Sequence, residues 1–213
     1  MKLELGWWWP DDEVEVIEWM KKHKHPLNGR ESYQGRKQDA TLKHCRSFHT
    51  AIDVGGHIGL WSFNLAHAFD RVVVFEPVDR HRECFAHNVP AEKVLLYPYA
   101  LGAQDGYCSI KSRPGSSGDS CVHPGRDVEM KRLDDFALTN VDLIKIDCEG
   151  YEENVLRGGE ETIKAWMPTI VVEQKRDMAT RFGLKPQGGV RLLEKWGYKL
   201  AEEIGGDFIM VPK

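Results

Sequence analysis

From about residue 50 onward, short apolar runs alternate with stretches whose apolar residues recur at helical steps. Residues 50–54 (T-A-I-D-V) form one such run and are followed by Gly55, Gly56 and Gly59; Ile58, Trp61, Leu65 and Phe69 then repeat at the spacing of a buried helix face. A second run at 71–77 (R-V-V-V-F-E-P) ends in Glu76 and Pro77. Further runs at 94–97, 141–148 and 169–174 read as strands, and helical patterns follow at about 152 and at 190–196. Strands that alternate with helices predict a parallel, doubly wound sheet. The last segment, 197–211, reads as two strands joined at Gly205–Gly206, a hairpin that must be antiparallel.

The first 49 residues read as a separate helical arm, leaving 50–213 as the main domain. A helix is predicted over 10–22, with Pro10, Asp11 and Asp12 at its start and lysines at its end, as the helix dipole favours. Pro26, Asn28 and Gly29 break it, and a second helix is predicted over 36–48. The stretch 112–121 (S-R-P-G-S-S-G-D-S-C) is the most loop-like in the chain, and 108–111 and 128–132 could pair around it as an extra hairpin.

Candidate chemistry gathers at the predicted strand ends. Ligands of open parallel sheets bind beyond the carboxyl ends of the strands. Asp147 and Glu149 stand at such an end, before Gly150 stops the strand. Lys145 shares a strand face with Asp147, opposite Ile144 and Ile146, and would be costly to bury without a partner. Asp53 and the glycines after it form a strand-to-helix turn that lets backbone approach a ligand closely. The spacing is not G-x-G-x-x-G, so a dinucleotide site is poorly supported. Glu76, about 17 residues beyond Gly59, could accept both hydroxyls of a ribose.

Taken together, D53-V-G-G-H-I-G59, F75-E-P77, Y99-A-L-G102 and D142-L-I-K-I-D-C-E-G150 resemble the FkbM-type methyltransferases. V155-L-R-G-G159, the run at 128–135 and V171-V-E173 fit the same pattern, and the resemblance extends from about 50 to 211. It implies an α/β fold: a Rossmann-like class I methyltransferase sheet, mostly parallel with an antiparallel C-terminal hairpin and helices on both faces. It also implies S-adenosylmethionine as methyl donor. Asp53, Gly55, Gly56, His57 and Gly59 would hold its methionine part, and Glu76 its ribose. Pro77, Val78, Ala100 and Leu101 would border the adenine, and Asp147 would sit near the transferred methyl. The family usually has a small residue and then Asn where Gly56 and His57 stand here.

O-methylation of a sugar or another small polar acceptor, such as a nucleotide-sugar, is the expected reaction. It needs a base for the acceptor hydroxyl. Asp147 and Glu149 rank ahead of Glu173 and His57 for that role. Three carboxylates could also hold a divalent metal, which the resemblance does not require. Two alternatives stay open: ribose 2′-O-methylation of nucleic acid, with Lys145, Asp147, Glu173 and Lys175 as a candidate set, and a non-catalytic nucleotide-binding module.

Charge and composition narrow this further. The chain has 213 residues, a formal net charge of −4 and a sequence pI near 6.1. These values argue against bulk attraction to nucleic acid. Residues 20–49 oppose that balance, with eight basic residues against two acidic ones, a net of +6. This reads first as a solvated face, and alternatively as a means to capture an anionic acceptor. Trp7, Trp8 and Trp9 could stack on a sugar or base, or anchor the arm. His81, Cys84 and His87 follow one another by threes, which drifts around a helix and does not converge on zinc; they read as a surface with solvated histidines. Five cysteines without a C-x-x-C pair read as reduced thiols, and no membrane span or secretory signal is evident, so a cytoplasmic enzyme is expected.

Overall fold

A computed structural model describes residues 1–113, 115–175 and 177–213. The arm begins with a hairpin of β1 (Lys2–Glu4) and β2 (Trp7–Trp9), turned through Leu5 and Gly6, both at positive φ. The next helix, α1 (Glu15–Lys22), starts five residues later than the sequence pattern predicts. Residues 7–9 are committed to the hairpin, and the Glu13 carboxylate caps the helix by accepting from the Val16 amide at 2.7 Å. A small hairpin, β3 (Pro26–Leu27) and β4 (Arg30–Glu31), follows around Asn28–Gly29. The arm closes with α2 (Gly35–Lys43), shorter than the predicted 36–48.

The main sheet is built from β5 (Thr50–Val54), α3 (Ser62–Ala68), β6 (Arg71–Phe75), α4 (Asp79–Asn88) and β7 (Val94–Tyr97). After β8 (Ala100–Leu101) comes an insertion of β9 (Gly106–Arg113) and β10 (Ser116–Lys131). The sheet resumes with β11 (Val141–Ile146), α5 (Glu152–Gly158), α6 (Glu160–Trp166) and β12 (Thr169–Glu173), and ends with α7 (Gly188–Lys195), β13 (Tyr198–Ile204) and β14 (Asp207–Pro212). Seven strands lie in the order β13-β14-β12-β11-β5-β6-β7. All neighbours are parallel except those of β14, which runs antiparallel to both β12 and β13. The expected mostly parallel sheet with an antiparallel C-terminal hairpin is therefore present.

Alternation along the strands divides the core. Ile52, Val54, Val73, Phe75, Ile144, Ile146, Ile170 and Val172 face α5, α6 and α7. Ala51, Val72, Val74, Leu143 and Val171 face α3, α4 and the arm. The arm therefore completes one layer of the domain. Trp7 and Trp9 are 0% exposed and carry it there. Trp7 packs edge-on to Phe63 at 5.4 Å, and Asn88 bonds to both backbone polar groups of Trp8. Of the two readings of the tryptophans, the anchor is the one observed.

The loop-like stretch 112–121 corrects another expectation, with Pro114 outside the described residues. It forms the distal part of a hairpin in which Cys121 pairs with Lys111 and Cys108 pairs with Val128. Its serines, glycine and aspartate have low strand propensity. The ladder to β9, interrupted by two register shifts, and contact with α1 override that propensity. Among the described residues no helix is long and apolar enough to cross a membrane.

Candidate active site

The carboxyl ends of β5, β6, β11 and β12 open into a cavity floored by sheet and turn. Its roof is made by α1, Tyr33 and the β9–β10 hairpin. Gly55 at φ +79° makes the floor possible. A Cβ there would collide with the Asp147 carbonyl oxygen, so only glycine lets the turn run beside the end of β11. On either side, His57 (φ +49°) and Glu149 (φ +52°) also occupy the left-handed region, an unusual conformation for residues with a Cβ.

Asp53 and Lys145 lie opposite one another on β5 and β11. The Lys145 ammonium is 3.2 Å from the Asp53 carboxylate and donates to the Gly55 carbonyl at 3.0 Å. Ser62 donates to the other Asp53 oxygen at 2.6 Å. The buried lysine thus has the partner its position demands. Burial opposes its charge, but Asp53 and Asp147 outweigh that and hold the ammonium above its ordinary range. Asp53 itself lies beneath the turn and does not line the cavity, and Gly59 packs on Val89 instead. Gly55, Gly56 and His57 do line it.

Glu76 is buried at the end of β6. It accepts from the His57 amide at 2.8 Å and the Val78 amide at 2.9 Å, and its Oε1 is 3.2 Å from His81 Nδ1. His81 is thus a buried partner of the strand-end acid and corrects the solvated surface expected of it; the signal was its place five residues past Glu76. An apolar cleft continues beside Glu76, lined by Phe75, Pro77, Val78, Ala100 and Leu101. Tyr99, Ile110, Val122 and Tyr151 complete it.

On the other side stand Asp147, Glu149 and Glu173, each offering an oxygen within 4.8 Å of the others. Three carboxylates this close cannot all remain charged without cations. Lys145 lies 3.8 Å from Asp147, and Lys175 is ion-paired with Glu173. For Asp147, burial is outweighed by Lys145 and Lys175, which keep its carboxyl below the usual range. Burial and the Asp147 charge push Glu149 up to about 8 and Glu173 well above its ordinary value. Asp147 is therefore held ionised near neutral pH. Lys145 and Lys175 supply countercharge to the cluster.

A hydrogen-bonded chain unforeseen in the sequence ties the roof to the turn. The buried Glu13 carboxylate accepts from the Ser117 amide at 2.6 Å and from the Ser117 hydroxyl. His57 Nε2 meets that hydroxyl oxygen at 2.7 Å. Since the hydroxyl donates to Glu13, Nε2 carries a proton and donates to Ser117. Burial, then the neighbouring His81 and Lys145, holds the imidazole neutral, well below its ordinary pKa. Trp19 and Tyr33, 5.0 Å apart and edge to face, form an aromatic wall of the cavity with Trp61 beyond. Trp19 is 37% exposed at the mouth.

The strand order, the glycine turn and the strand-end acids define a class I methyltransferase. The Methyltransferase FkbM domain matches residues 53–200, and the chain belongs to that family, whose cofactor is S-adenosylmethionine. It is similar to Methyltransferase 1 of Beauveria bassiana (strain ARSEF 2860), 26% identical over 189 residues that cover 71% of this chain and 73% of that one. Among solved structures, the methyltransferase FkbM of Methylobacillus flagellatus KT aligns at 14% identity and TM-score 0.49, covering 83% of this chain. The present chain spans 50% of the length of that protein. The N-methyltransferase NodS of Bradyrhizobium japonicum WM9, in complex with S-adenosyl-L-homocysteine, aligns at 11% identity and TM-score 0.50, covering 84% and 86% of the two chains. That likeness is one of fold.

Proposed function

We propose that the protein is an S-adenosylmethionine-dependent O-methyltransferase acting on a hydroxyl of a sugar or a similarly polar small acceptor, in a reducing compartment such as the cytoplasm. The observation that supports it most is the facing of an aromatic wall, Trp19 and Tyr33, against the carboxylates Asp147, Glu149 and Glu173 across one cavity. Such a wall suits the apolar face of a sugar ring, and carboxylates suit its hydroxyls. All five cysteines are free, which accords with a reducing compartment.

The residues present fit the cofactor. Glu76 offers a carboxylate to a ribose diol, and the cleft at Pro77, Val78, Ala100 and Leu101 offers apolar walls to a purine. Gly55, Gly56 and His57 border the space left for the methionine end. When bound, S-adenosylmethionine supplies a methyl carbon activated by its sulfonium. Asp147 would accept the proton that the acceptor hydroxyl gives up on methylation. Glu149, whose carboxyl is pushed up to about 8, donates a hydrogen bond to the acceptor, and the Glu173–Lys175 pair lies beside it and orients it. Tyr33 and Trp19 exclude water from the mouth.

The same cavity also contains Lys145, Lys175 and Glu173 beside Asp147, the set considered for a ribose 2′-hydroxyl. A net charge of −4 makes a nucleic-acid acceptor the second reading. The test is incubation with radiolabelled methyl donor and fractionated cell extract. Label in an alkali-stable, small polar fraction supports the proposal. Label in RNA replaces it with the second reading, and label on nitrogen excludes both.

A further inference from the structure

Lys37 belongs to the basic stretch of the arm that reads as a solvated face, yet the structure takes it out of solvent. From α2 it reaches the opposite end of the molecule's sequence and forms an ion pair with Asp207, at the start of β14. The two side chains are 13% and 5% exposed. Asp207 is the register partner of Glu173, and Glu173 is ion-paired with Lys175. Two cation–carboxylate pairs therefore stand side by side at the carboxyl edge of the sheet, next to Asp147.

A simple packing strut does not account for this arrangement. Burying an ion pair costs desolvation on both partners, and an apolar pair of similar size would hold the arm at least as well. What the lysine contributes that an apolar residue cannot is charge. Its ammonium faces Asp207 directly, with Glu173, Asp147 and the ammonium groups of Lys175 and Lys145 around it. Among the described residues, the Tyr33 phenol, Glu149 and Glu152 are further ionisable groups of this corner. The influence is mutual. Burial and Lys175 push the Lys37 ammonium down to about 8, while Lys37 is among the cations that keep Asp147 ionised.

We propose that Lys37, held by Asp207, is a positioning residue for methyl transfer: the arm delivers a positive charge behind the carboxylate cluster and holds Asp147 and the Glu173–Lys175 pair in the arrangement that receives the acceptor. The inference rests on reading that cluster as the acceptor site. It gives the arm a part in the reaction through a residue other than its tryptophans.

The test uses the full chain saturated with S-adenosylhomocysteine and follows the titration of Asp147 by carboxyl carbon NMR. Initial rates of label transfer from radiolabelled S-adenosylmethionine to the small polar fraction of cell extract are measured in parallel. Lys37→Met should raise the Asp147 midpoint by at least half a pH unit and slow transfer about tenfold, with S-adenosylhomocysteine affinity unchanged within twofold. Lys37→Arg, which keeps charge and reach, should restore both. Asp207→Asn removes an anion and leaves the ammonium in place, so it should move the midpoint the other way, to lower pH. An Asp147 midpoint that is the same in Lys37→Met, Lys37→Arg and wild type would overturn the proposal, as would equal loss of rate in Met and Arg variants. Asp147→Asn separates this from the underlying reading. If it transfers label at the wild-type rate, the cluster is not the acceptor site; if it is inactive while Lys37→Met is unaffected, only the role of Lys37 fails.

Discussion

Lys145 and Asp53 face each other across β11 and β5, 3.2 Å apart, and the same ammonium holds the Gly55 carbonyl at 3.0 Å. The pair is a bolt under the glycine turn, with Asp53 fully buried and Lys145 at the floor of the cavity. Lys145→Met should leave Asp53 buried without a countercharge and cost about 3–5 kcal/mol of stability. Urea unfolding measures this directly. A loss below about 1 kcal/mol would show that Asp53 is content with Ser62 alone.

Glu76 accepts from the amides of His57 and Val78, so its carboxylate is aligned before any ligand arrives. Glu76→Ala should weaken binding of S-adenosylhomocysteine by roughly 1.5–3 kcal/mol for each charge-assisted bond lost. Calorimetry that finds wild-type affinity removes Glu76 from the cofactor site.

Asp147 and Glu149 differ in charge state although they are neighbours. Asp147→Asn should lower turnover by about 10²–10⁴ with cofactor affinity kept, the loss typical of a missing general base. Glu149→Gln, which replaces one neutral hydrogen-bonding group by another near pH 7, should lose far less. Measuring transfer and affinity separately in both variants decides between them. Equal losses would point to shared proton transfer instead of one base.

Stability should depend on pH through Glu149. Burial and Asp147 raise its folded-state pKa to about 8, against about 4.3 in the unfolded chain. Between those values the folded chain holds a proton that the unfolded chain has released. The contribution of this group is therefore fully present below the unfolded value and is lost as pH rises through 8. Glu149→Gln should be more stable than wild type at pH 9 and nearly equal to it at pH 4. Denaturant melts at the two pH values check the sign.

The arm's aromatic residues should separate by role. Trp7→Ala removes a fully buried ring and should cost about 3–5 kcal/mol while leaving cofactor affinity within twofold. Trp19→Ala, at the cavity mouth, should leave the melting temperature in place and raise the acceptor KM. If the two variants behaved alike in both measurements, the division between anchor and wall would be wrong.

The sheet was legible because its central strands β5, β6, β11 and β12 are buried on both faces, so apolar runs and breaks appear in register along the chain. The strand-end acids were legible for the same reason, since position along a strand fixes which end a residue occupies. Glu13, Ser117, Trp19 and Lys37 were not. Each reaches the site through tertiary packing of the arm or the hairpin, and no local spacing connects Lys37 to Asp207 or Glu13 to Ser117. The serine-rich stretch misled for a related reason. Its composition favours a loop, and only the partner strand and α1 make it a ladder. Trp7, Trp8 and Trp9 left two readings open, and it is the hairpin with residues 2–4, turning Trp7 and Trp9 inward, that selects the anchor.

The roof of the cavity is stitched by Glu13 and Ser117, from segments about a hundred residues apart that both lie outside the seven-stranded sheet. Arm and hairpin are thus joined to each other at one seam, and an exchange of both together keeps that seam, provided that the core contacts of Trp7 and Trp9 and the Lys37–Asp207 pair are kept as well. Chimeras that swap residues 1–49 and 106–131 as one unit should fold and bind the donor, while swaps of either segment alone should break the seam.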